Sequence, residues 1–574
     1  MFNKYYQDEL AYLRELGREF AEHNPESAGW LAQPGVDPDV ERLLEGFAFL
    51  TGRIRQKLDD ELPELTHALL QLFWPHYLRP LPSMTTIELK AKPKAAAKVQ
   101  QCPRGSELGS QPVDETRCTF RTAYETTVWP LKVDALEVGS SSDPYLRLTL
   151  ALNRGAAIGK LELTTLRLHF TGATAASRGL YFALARYLGS GRAHAGGTSV
   201  ELPQLRARPV GFAEDEALLP TPKASYPGFR LLQEYFLFPE KFMYLDLEGL
   251  EPLAKLGNEG QVELELRLSS LPHDLPPVTA KEVRVNCTPA VNLFRHDADP
   301  IRLSRERVEY PIRPAGQAAH YEVFSIDSVQ GIRRADPTPR IYRPFYAFER
   351  VDEGGLLFQT RVARALTTRG TDHYMTFLED GLPPAFGDET ISIDLTCSNR
   401  HLPTSLGLGD VNEPTPRTPG TLAFANITRP TAPVRPPLEG DLFWSLLSHL
   451  SLNYLSLLTP ESLRKLLQLY DFRARVDRQA ERALGRRLEG ILAVQSEPSL
   501  RVLRGATIRG VTTTLTLDED RFGGEGEAYL FGSVMDAFLA QYVTLNAYSQ
   551  VKVHGKKYGE VHQWPAKTGA RTIL

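Results

Sequence analysis

The apolar residues between 37 and 62 recur at steps of three and four, the spacing that places side chains on one helix face. Asp37-Pro38-Asp39 predicts the helix start, because a carboxylate caps free backbone N–H groups and proline fits the first helical position. Pro63 ends or interrupts the helix, since it has no N–H to donate. From Val40 to Leu62 the helix would be about 35 Å long at about 1.5 Å per residue. Its apolar face comprises Val40, Leu43, Phe47, Leu50, Ile54, Leu58 and Leu62.

An apolar face of this length must be covered by other apolar groups. Two arrangements are open: the helix lies in an internal core, or it is shared with another subunit in a helical bundle. Residues 2–23 predict a second amphipathic helix, ended by Asn24-Pro25, and residues 65–73 a short third one. The face of the first helix consists of Tyr6, Leu10, Leu13 and Phe20.

After Pro82 the pattern changes to alternation of apolar and other residues, which is typical of half-buried strands. Residues 145–152 and 262–268 show it most clearly, and residues 228–250 predict a short helix, a turn at Pro239 and a strand. A change of phase after Leu163 indicates a bulge near Thr164-Thr165. Many short strands and few helices favour a sandwich or barrel-like arrangement in this middle region.

The last third begins with a Pro/Thr-rich segment, 409–437, which we interpret as an extended connector. Residues 442–460 carry no charge, but seven polar side chains favour a buried helix of a soluble protein over a membrane span. A charged helical stretch follows over 461–490, then a strand over 507–516. A last long helix is predicted for 528–548, with Leu530, Val534, Phe538 and Tyr542 at steps of four.

These patterns predict an α+β, multidomain chain. We expect four regions: an N-terminal helical (core-bundle) region over 1–82, a β-rich wing-like domain over 83–280, a second β-rich domain over 281–436 ending in the connector, and an α+β C-terminal dimerisation or interaction domain over 437–574. The helical faces at the two ends of the chain are the candidate interaction residues.

Composition and charge narrow the class of protein. The chain has 574 residues, 42% hydrophobic and 24% charged, with a formal net charge of −4. That balance gives no general attraction to nucleic acid or anionic lipid. The four cysteines have no CxxC spacing, so we expect reduced, packed thiols, and the acidic N-terminal helix does not resemble a signal peptide. We expect a cytoplasmic location.

Motifs for catalysis or cofactor binding are missing from the sequence, which has no HExxH, GxSxG or GxxxxGK[ST]. We therefore expect no catalytic residues, no cofactor and no metal. His296-Asp297-Ala298-Asp299 is more typical of a turn than of a metal site, and His449 of a core histidine. The arginines between Arg333 and Arg343 form a local basic cluster, for which solvation or an acidic partner is a simpler explanation than RNA.

Several segments resemble one known family. They are DPDVERLLEGFAFLTGRIRQKLDDELPELT with the P-x-Y-x-x-P-x-P that follows it, GFRLLQEYFLFPEKFMYLDLEGL (228–250), CTPAVNLFRHDADPI (287–301) and DLFWSLLSHLSLNYLSLL (441–458). In this order they resemble the TssF (VasA/ImpG) family of type VI secretion system baseplate subunits. The likeness is weak over 409–420 and after Val551.

The resemblance implies a non-enzymatic wedge subunit of a contractile, phage-tail-like injection machine. Family members associate as two TssF copies with one TssG, partly through a helical core bundle. TssK and TssE attach to this wedge, six wedges surround the VgrG hub, and the baseplate docks at the inner-membrane complex and helps to initiate sheath and tube assembly. It also implies protein partners only, with no nucleic acid and no direct membrane insertion.

The residues assigned to the shared bundle are the N-terminal faces described above: Leu10, Leu13, Phe20, Leu43, Phe47, Leu50, Ile54 and Leu58. Val534, Phe538 and Tyr542 are candidates for contact with a second TssF copy or a neighbouring wedge. An enzyme with a polar cleft hidden by sequence order and a nucleic-acid-binding module remain as competing classes.

Overall fold

A computed structural model describes residues 2–23, 38–59, 69–221, 226, 228–304, 307–334, 336–345, 355–365, 370–379, 389–438, 459–503, 506–545 and 547–569. The chain divides into two compact units. The first comprises Met1–Phe73 and Pro437–Ser451, and the second comprises Trp74–Pro436 and Leu452–Leu574. The mixed α+β, multidomain fold class is therefore confirmed.

In the first unit the described elements are helical. Helix α1 spans Phe2–His23 and α2 spans Pro38–Asp59, and residues 69–73 are also helical. Asp39 and Glu41 lie in the first turn of α2, where carboxylates interact favourably with the helix dipole. The helix predicted to begin at Asp37-Pro38 is present from Pro38 onward, whereas its predicted N-cap Asp37 and its predicted end at Leu62 lie outside the described residues.

The described residues of the second unit contain six further helices: α3 (Ala175–Tyr187), α4 (Gly228–Leu237), α5 (Pro460–Tyr470), α6 (Arg478–Gly490), α7 (Glu519–Phe522) and α8 (Glu525–Ala540). Its strands up to the end of the first half are β1 (Met84–Ala91), β2 (Gln100–Cys102), β3 (Glu107–Val113), β4 (Thr116–Thr122), β5 (Thr126–Val128), β6 (Leu131–Ser140), β7 (Asp143–Leu152), β8 (Thr165–Phe170), β9 (Leu188–Ala195), β10 (Thr198–Leu202), β11 (Arg206–Val210), β12 (Tyr244–Glu248), β13 (Gln261–Leu268), β14 (Val283–Val285) and β15 (Cys287–Val291).

The later strands are β16 (Phe294–Asp297), β17 (Ile301–Arg302), β18 (Tyr310–Ile312), β19 (Glu322–Arg333), β20 (Asp336–Ile341), β21 (Arg343–Pro344), β22 (Leu356–Arg364), β23 (Thr371–Glu379), β24 (Glu389–Ser398), β25 (Glu413–Pro414), β26 (Leu422–Asn426), β27 (Ile491–Leu503), β28 (Ala506–Leu517), β29 (Ala547–Gly555), β30 (Val561–Gln563) and β31 (Lys567–Thr568). The six-stranded sheet has the order β25-β3-β4-β15-β1-β26, so it joins strands more than 300 residues apart.

The remaining strands form smaller sheets with the orders β10-β9-β13-β7-β6, β11-β12-β8-β14, β16-β24-β19-β20, β18-β23-β22-β21 and β27-β28-β29-β30, with a two-stranded β2-β5. Strand β7 shows why the alternating pattern predicted them. Leu146, Leu148 and Leu150 are buried, and Leu148 lies opposite Leu264 of β13. The strands expected over 145–152 and 262–268 are confirmed.

One large core joins distant parts of the second unit. It contains residues from 131–285 and from 463–564. Helix α4 packs on α8 within it, where the rings of Phe229 and Phe538 lie 6.1 Å apart and Tyr235 Oη donates a hydrogen bond to Glu527 Oε1 at 2.7 Å. Two smaller cores lie around the β16–β24 region and the six-stranded sheet. The four expected domain ranges stay predictions, but the C-terminal helices share their core with the first β-rich range.

Three local predictions are wrong. The last helix ends at Ala540 rather than Tyr548, because Ala547 already begins β29 beside β28. No bulge occurs at Thr164-Thr165: a 3₁₀ turn precedes Leu161 and β8 starts at Thr165, which explains the change of phase. His296 lies in β16, not in a turn, and its Nε2 is 2.9 Å from the Ala315 carbonyl oxygen.

The connector and the charged helices agree in part with expectation. Within 409–437, β26 pairs with β1 and Val434 forms a bridge with Leu81, so this segment is extended and hydrogen-bonded to the second unit. Helices α5 and α6 occupy the charged stretch predicted over 461–490. The uncharged helix expected over 442–460, with His449, lies almost wholly outside the described residues. All four cysteines are free and buried, as expected.

Candidate interaction surface

Helices α1 and α2 pack against each other through small side chains. Ala48 and Ala21 are buried, and a Cβ added to Gly52 would lie 3.2 Å from the backbone nitrogen of Tyr6. Because such a contact leaves no space for a side chain, glycine at this position sets the distance between the two helices. The close approach of the two helices thus depends on small residues, and Leu43, Phe47, Leu50 and Ile54 stay exposed.

An ion pair also joins the two helices. Arg14 Nη2 lies 2.5 Å from Glu41 Oε1, which joins the middle of α1 to the first turn of α2. The arginine is partly exposed, so the pair contributes little to stability. It does favour one alignment of the small residues over others.

The large apolar residues of α2 face outward. We call Leu43, Phe47, Leu50 and Ile54 the α2 face; their side chains are 76%, 56%, 60% and 60% exposed. Steps of four, three and four place them in one row. Isolated exposed apolar residues are ordinary on a protein surface, but a continuous row of four large ones is typical of a contact surface.

Helix α1 adds further exposed apolar groups. Phe20 is exposed, as are Tyr12 and Leu16, which the sequence pattern did not single out, whereas Leu10 and Leu13 are half-buried. The side chain of Leu58 lies outside the described residues. The structure therefore leaves the predicted α2 face open and encloses part of the predicted α1 face; whether either binds a partner stays a prediction.

The C-terminal candidates are placed differently. Val534 and Phe538 are 0% exposed in the large core, and Tyr542 is half-buried against it, with its ring 4.2 Å from that of Tyr226. The premise that they form an uncovered face is wrong. Apolar residues occupy every side of α8, and a helix of that kind is buried within its own domain.

The basic cluster between Arg333 and Arg343 is largely neutralised within the chain. Arg340 contacts Glu389 at 2.8 Å and Glu379 at 2.6 Å, and Arg333 contacts Glu389 at 3.2 Å. Glu389 is buried and also accepts a hydrogen bond from Tyr342 Oη at 3.1 Å. Burial, with this carboxylate second, raises the pKa of Tyr342. These arginines complete an internal network.

Two pockets of about 510 and 320 Å³ lie on β18 and its neighbours, with Pro311 and Arg313 in both linings. Buried His373 lines the 320 Å³ pocket, and its Nε2 has no hydrogen-bond partner within the described part of the chain. Burial lowers the pKa of His373 to about 4, so the ring is neutral near pH 7 and can accept one hydrogen bond. Among the described helices, none is both long and apolar enough to cross a membrane.

Comparison with known proteins gives consistent results. The family described as Type VI secretion system, TssF, matches residues 1–571. The Type VI secretion system component TssF1 of Pseudomonas aeruginosa strain PAO1 is 33% identical, with 100% of this chain and 99% of that protein covered.

Two solved structures are also similar. One is a chain in the cryo-electron microscopy structure of the type VI secretion system TssK-TssF-TssG baseplate subcomplex, at 31% identity and a TM-score of 0.76, covering 92% of this chain and 99% of the other. The second is a chain in the baseplate complex from the type VI secretion system, at 28% identity, a TM-score of 0.67 and full coverage of both. From the match over 1–571 and the full-length identity of 33%, this chain belongs to the TssF family of type VI secretion system proteins.

Proposed function

We propose that this chain is a structural, non-enzymatic subunit of a type VI secretion baseplate and assembles there with TssG and TssK. Membership of the TssF family supports the role, and a similar chain occurs in a TssK-TssF-TssG subcomplex. The exposed α2 face is the observation that carries the proposal for this chain, because it supplies a contact surface on a pair of helices that is otherwise already packed.

The contact with TssG uses the N-terminal helices. Leu43, Phe47, Leu50 and Ile54 pack against helices of the partner, with Phe20 beside them on α1, and Leu10, Leu13 and Leu58 as further bundle candidates. Burying a side chain of this size fully contributes about 1.5–3 kcal/mol. A row of four is thus enough to drive helix association, provided the partner presents a complementary apolar face.

The finer assembly follows the family resemblance. Two copies of this chain associate with one TssG and with each other, TssE joins the same wedge, and the wedges surround the VgrG hub and help to initiate sheath and tube assembly. The location is cytoplasmic, with docking at the inner-membrane complex through the baseplate. Val534, Phe538 and Tyr542 have no part in this proposed contact, because α8 is covered by the chain itself.

Charge substitutions on the α2 face test the contact with TssG. Leu50→Asp and Ile54→Asp would each place a carboxylate in an apolar interface, so we expect loss of co-purification with TssG, equivalent to about 3 kcal/mol or more. Both side chains are mostly exposed in the free chain, so we expect its unfolding free energy to change by less than about 0.5 kcal/mol.

Arg42→Asp is the matched control, since Arg42 lies exposed on the same helix next to the α2 face and the variant gains the same carboxylate. The Arg42→Asp variant should still co-purify with TssG. Retention of TssG by Leu50→Asp and Ile54→Asp would exclude the α2 face from the contact. Aggregation of these two variants without TssG would instead mean that the face is covered within the chain.

A further inference from the structure

A cluster of histidine and glutamate side chains lies in the second unit. Ligand atoms of His273, Glu525 and Glu560 lie within 4.8 Å of one another. His273 belongs to the segment between β13 and β14, Glu525 begins α8, and Glu560 precedes β30. Three segments that are remote in the sequence therefore bring metal-binding side chains to one point.

His562 on β30 adds a fourth nitrogen donor. Its residue is 6% exposed, its Nδ1 has no hydrogen-bond partner among the described residues, and its Nε2 lies 3.9 Å from Glu560 Oε2. That distance is too long for a hydrogen bond. The ring is held edge-on against Phe182 at 5.2 Å and Tyr529 at 5.6 Å, and its nearest cluster carboxylate is that of Glu560.

The distance between His562 and Glu560 leaves room for an ion. An imidazole nitrogen that faces a carboxylate beyond hydrogen-bond distance gains little from it, whereas a cation between the two would be bound by both groups.

We propose that His273, Glu525, Glu560 and His562 bind one divalent transition-metal ion of the zinc class. Two imidazoles and two carboxylates form a ligand set suited to zinc. Donor atoms bound tetrahedrally at about 2.0–2.1 Å from one ion lie roughly 3.3 Å apart. His273 Nδ1 and Glu525 Oε1 are 2.9 Å apart and the His562–Glu560 pair 3.9 Å. His562 lies outside the group of three whose ligand atoms are within 4.8 Å of one another, so its side chain would have to move towards His273 and Glu525 to complete the site.

Neighbouring groups hold the ligands in place. Tyr187 Oη donates a hydrogen bond to Glu560 Oε2 at 2.5 Å. The His273 ring stacks on the Tyr558 ring, with the two ring centroids 4.1 Å apart. The backbone N–H of His273 donates a hydrogen bond to Glu525 Oε2 at 2.8 Å. Hydrogen bonds of this kind orient metal ligands and strengthen binding.

The ion would act as a structural link. It would tie the segment after β13 and the start of β30 to the first turn of α8, whose core packing joins the two distant parts of the second unit. The side chains of His273 and Glu560 are 43% and 30% exposed, so an ion can reach the site from solvent. This role is independent of the proposed contact with TssG.

Calorimetric titration of the chelator-treated, full-length chain with ZnCl₂ tests the proposal. We expect one equivalent of zinc to bind the natural sequence and to raise its thermal midpoint. Glu560→Gln and His273→Ala should lose this binding, and His562→Phe should lose it while keeping the ring packing. Tyr187→Phe should weaken it about tenfold. Cobalt added in place of zinc should give the visible absorption of tetrahedral coordination.

His554→Ala is the control, because His554 is an exposed histidine on the neighbouring strand β29. It should bind zinc like the natural sequence. Absence of one-equivalent binding, or equal affinity in Glu560→Gln, His273→Ala and the control, would overturn the proposal. In that case these side chains form only the His273–Glu525 hydrogen bond and bind no metal. Circular dichroism of each variant separates loss of a ligand from loss of the fold.

Discussion

At the scale of single residues, the second unit buries ionisable groups together with charged and hydrogen-bonding partners. Glu234 accepts hydrogen bonds from the backbone N–H groups of Leu218 and Leu219 at 2.9 Å and pairs with Arg230 and fully buried Lys241. Burial opposes its ionisation, but these partners together lower its pKa. Removing one member would leave the others charged and buried, which is costly.

His373 is the buried group with the clearest pH dependence. Burial lowers its pKa to about 4, with the Val323 carbonyl opposing the shift and Arg400 reinforcing it. The unfolded chain has a histidine pKa of about 6.5. The folded state therefore binds its proton less readily, and the stability that neutral His373 contributes is complete above about pH 6.5 and is lost as the pH falls towards 4.

Replacing His373 tests the predicted direction of this pH dependence. Between about pH 7 and about pH 5, His373 should account for about 2 kcal/mol of the loss of unfolding free energy. His373→Gln should thus lose less stability over that range than the natural sequence, measured by urea denaturation. His194→Gln, at a half-exposed position, should behave like the natural sequence. Equal losses in His373→Gln and the natural sequence would show that His373 protonates as readily in the folded state.

Residue pairs of this kind mark the limit of sequence reasoning. The sequence suggests a binding partner for the arginines near 333–343, because their neighbours in sequence are also basic or aromatic. Their carboxylate partners, Glu379 and Glu389, follow 39 to 56 residues later and reach them only through sheet pairing. The His273 cluster was missed for the same reason, since spacing motifs detect only ligands that are close along the chain.

At the scale of elements, periodicity predicted well because it is local. Helices α1, α2 and α4 and strands β7 and β13 lie where steps of three to four or of two predicted them. The Ala21, Ala48 and Gly52 contact between α1 and α2 was not predicted, because small residues give little hydropathy signal. The face of α8 was misread because only one row of its apolar residues was considered, although the other sides are apolar too.

Gly52 and Gly46 provide a matched test of the α1–α2 contact. In Gly52→Val the new Cβ meets the α1 backbone at 3.2–3.3 Å, so we expect α1 and α2 to separate locally, at about 1–3 kcal/mol. A Cβ at Gly46 meets nothing within 4 Å, so Gly46→Ala should stabilise α2 by up to about 1 kcal/mol through helix propensity.

Hydrogen exchange followed by mass spectrometry measures both effects. Peptides from α1 and α2 should exchange faster in Gly52→Val and no faster in Gly46→Ala than in the natural sequence. Similar exchange in the two variants would mean that the helices do not depend on close approach at Gly52. A change in peptides of the second unit would show that the substitution acts beyond the helix pair.

At the scale of the whole molecule, the chain order does not reveal how the cores are composed. Strand β1 pairs with β15 and β26, and the C-terminal helices complete a core that begins at residue 131. The linear ranges 83–280, 281–436 and 437–574 could not anticipate this, because long-range pairing leaves no periodic signal. The fold class and the open α2 face were within reach of sequence reasoning because each depends on local pattern.

The central claim is that this chain is a baseplate subunit whose N-terminal helices bind TssG. Native mass spectrometry of the full-length chain co-expressed with TssG tests it most directly. The account predicts a stable complex with two copies of this chain per TssG, which Leu50→Asp disrupts and Arg42→Asp preserves. A monomer that does not bind TssG, under conditions in which both proteins are folded, would contradict this claim.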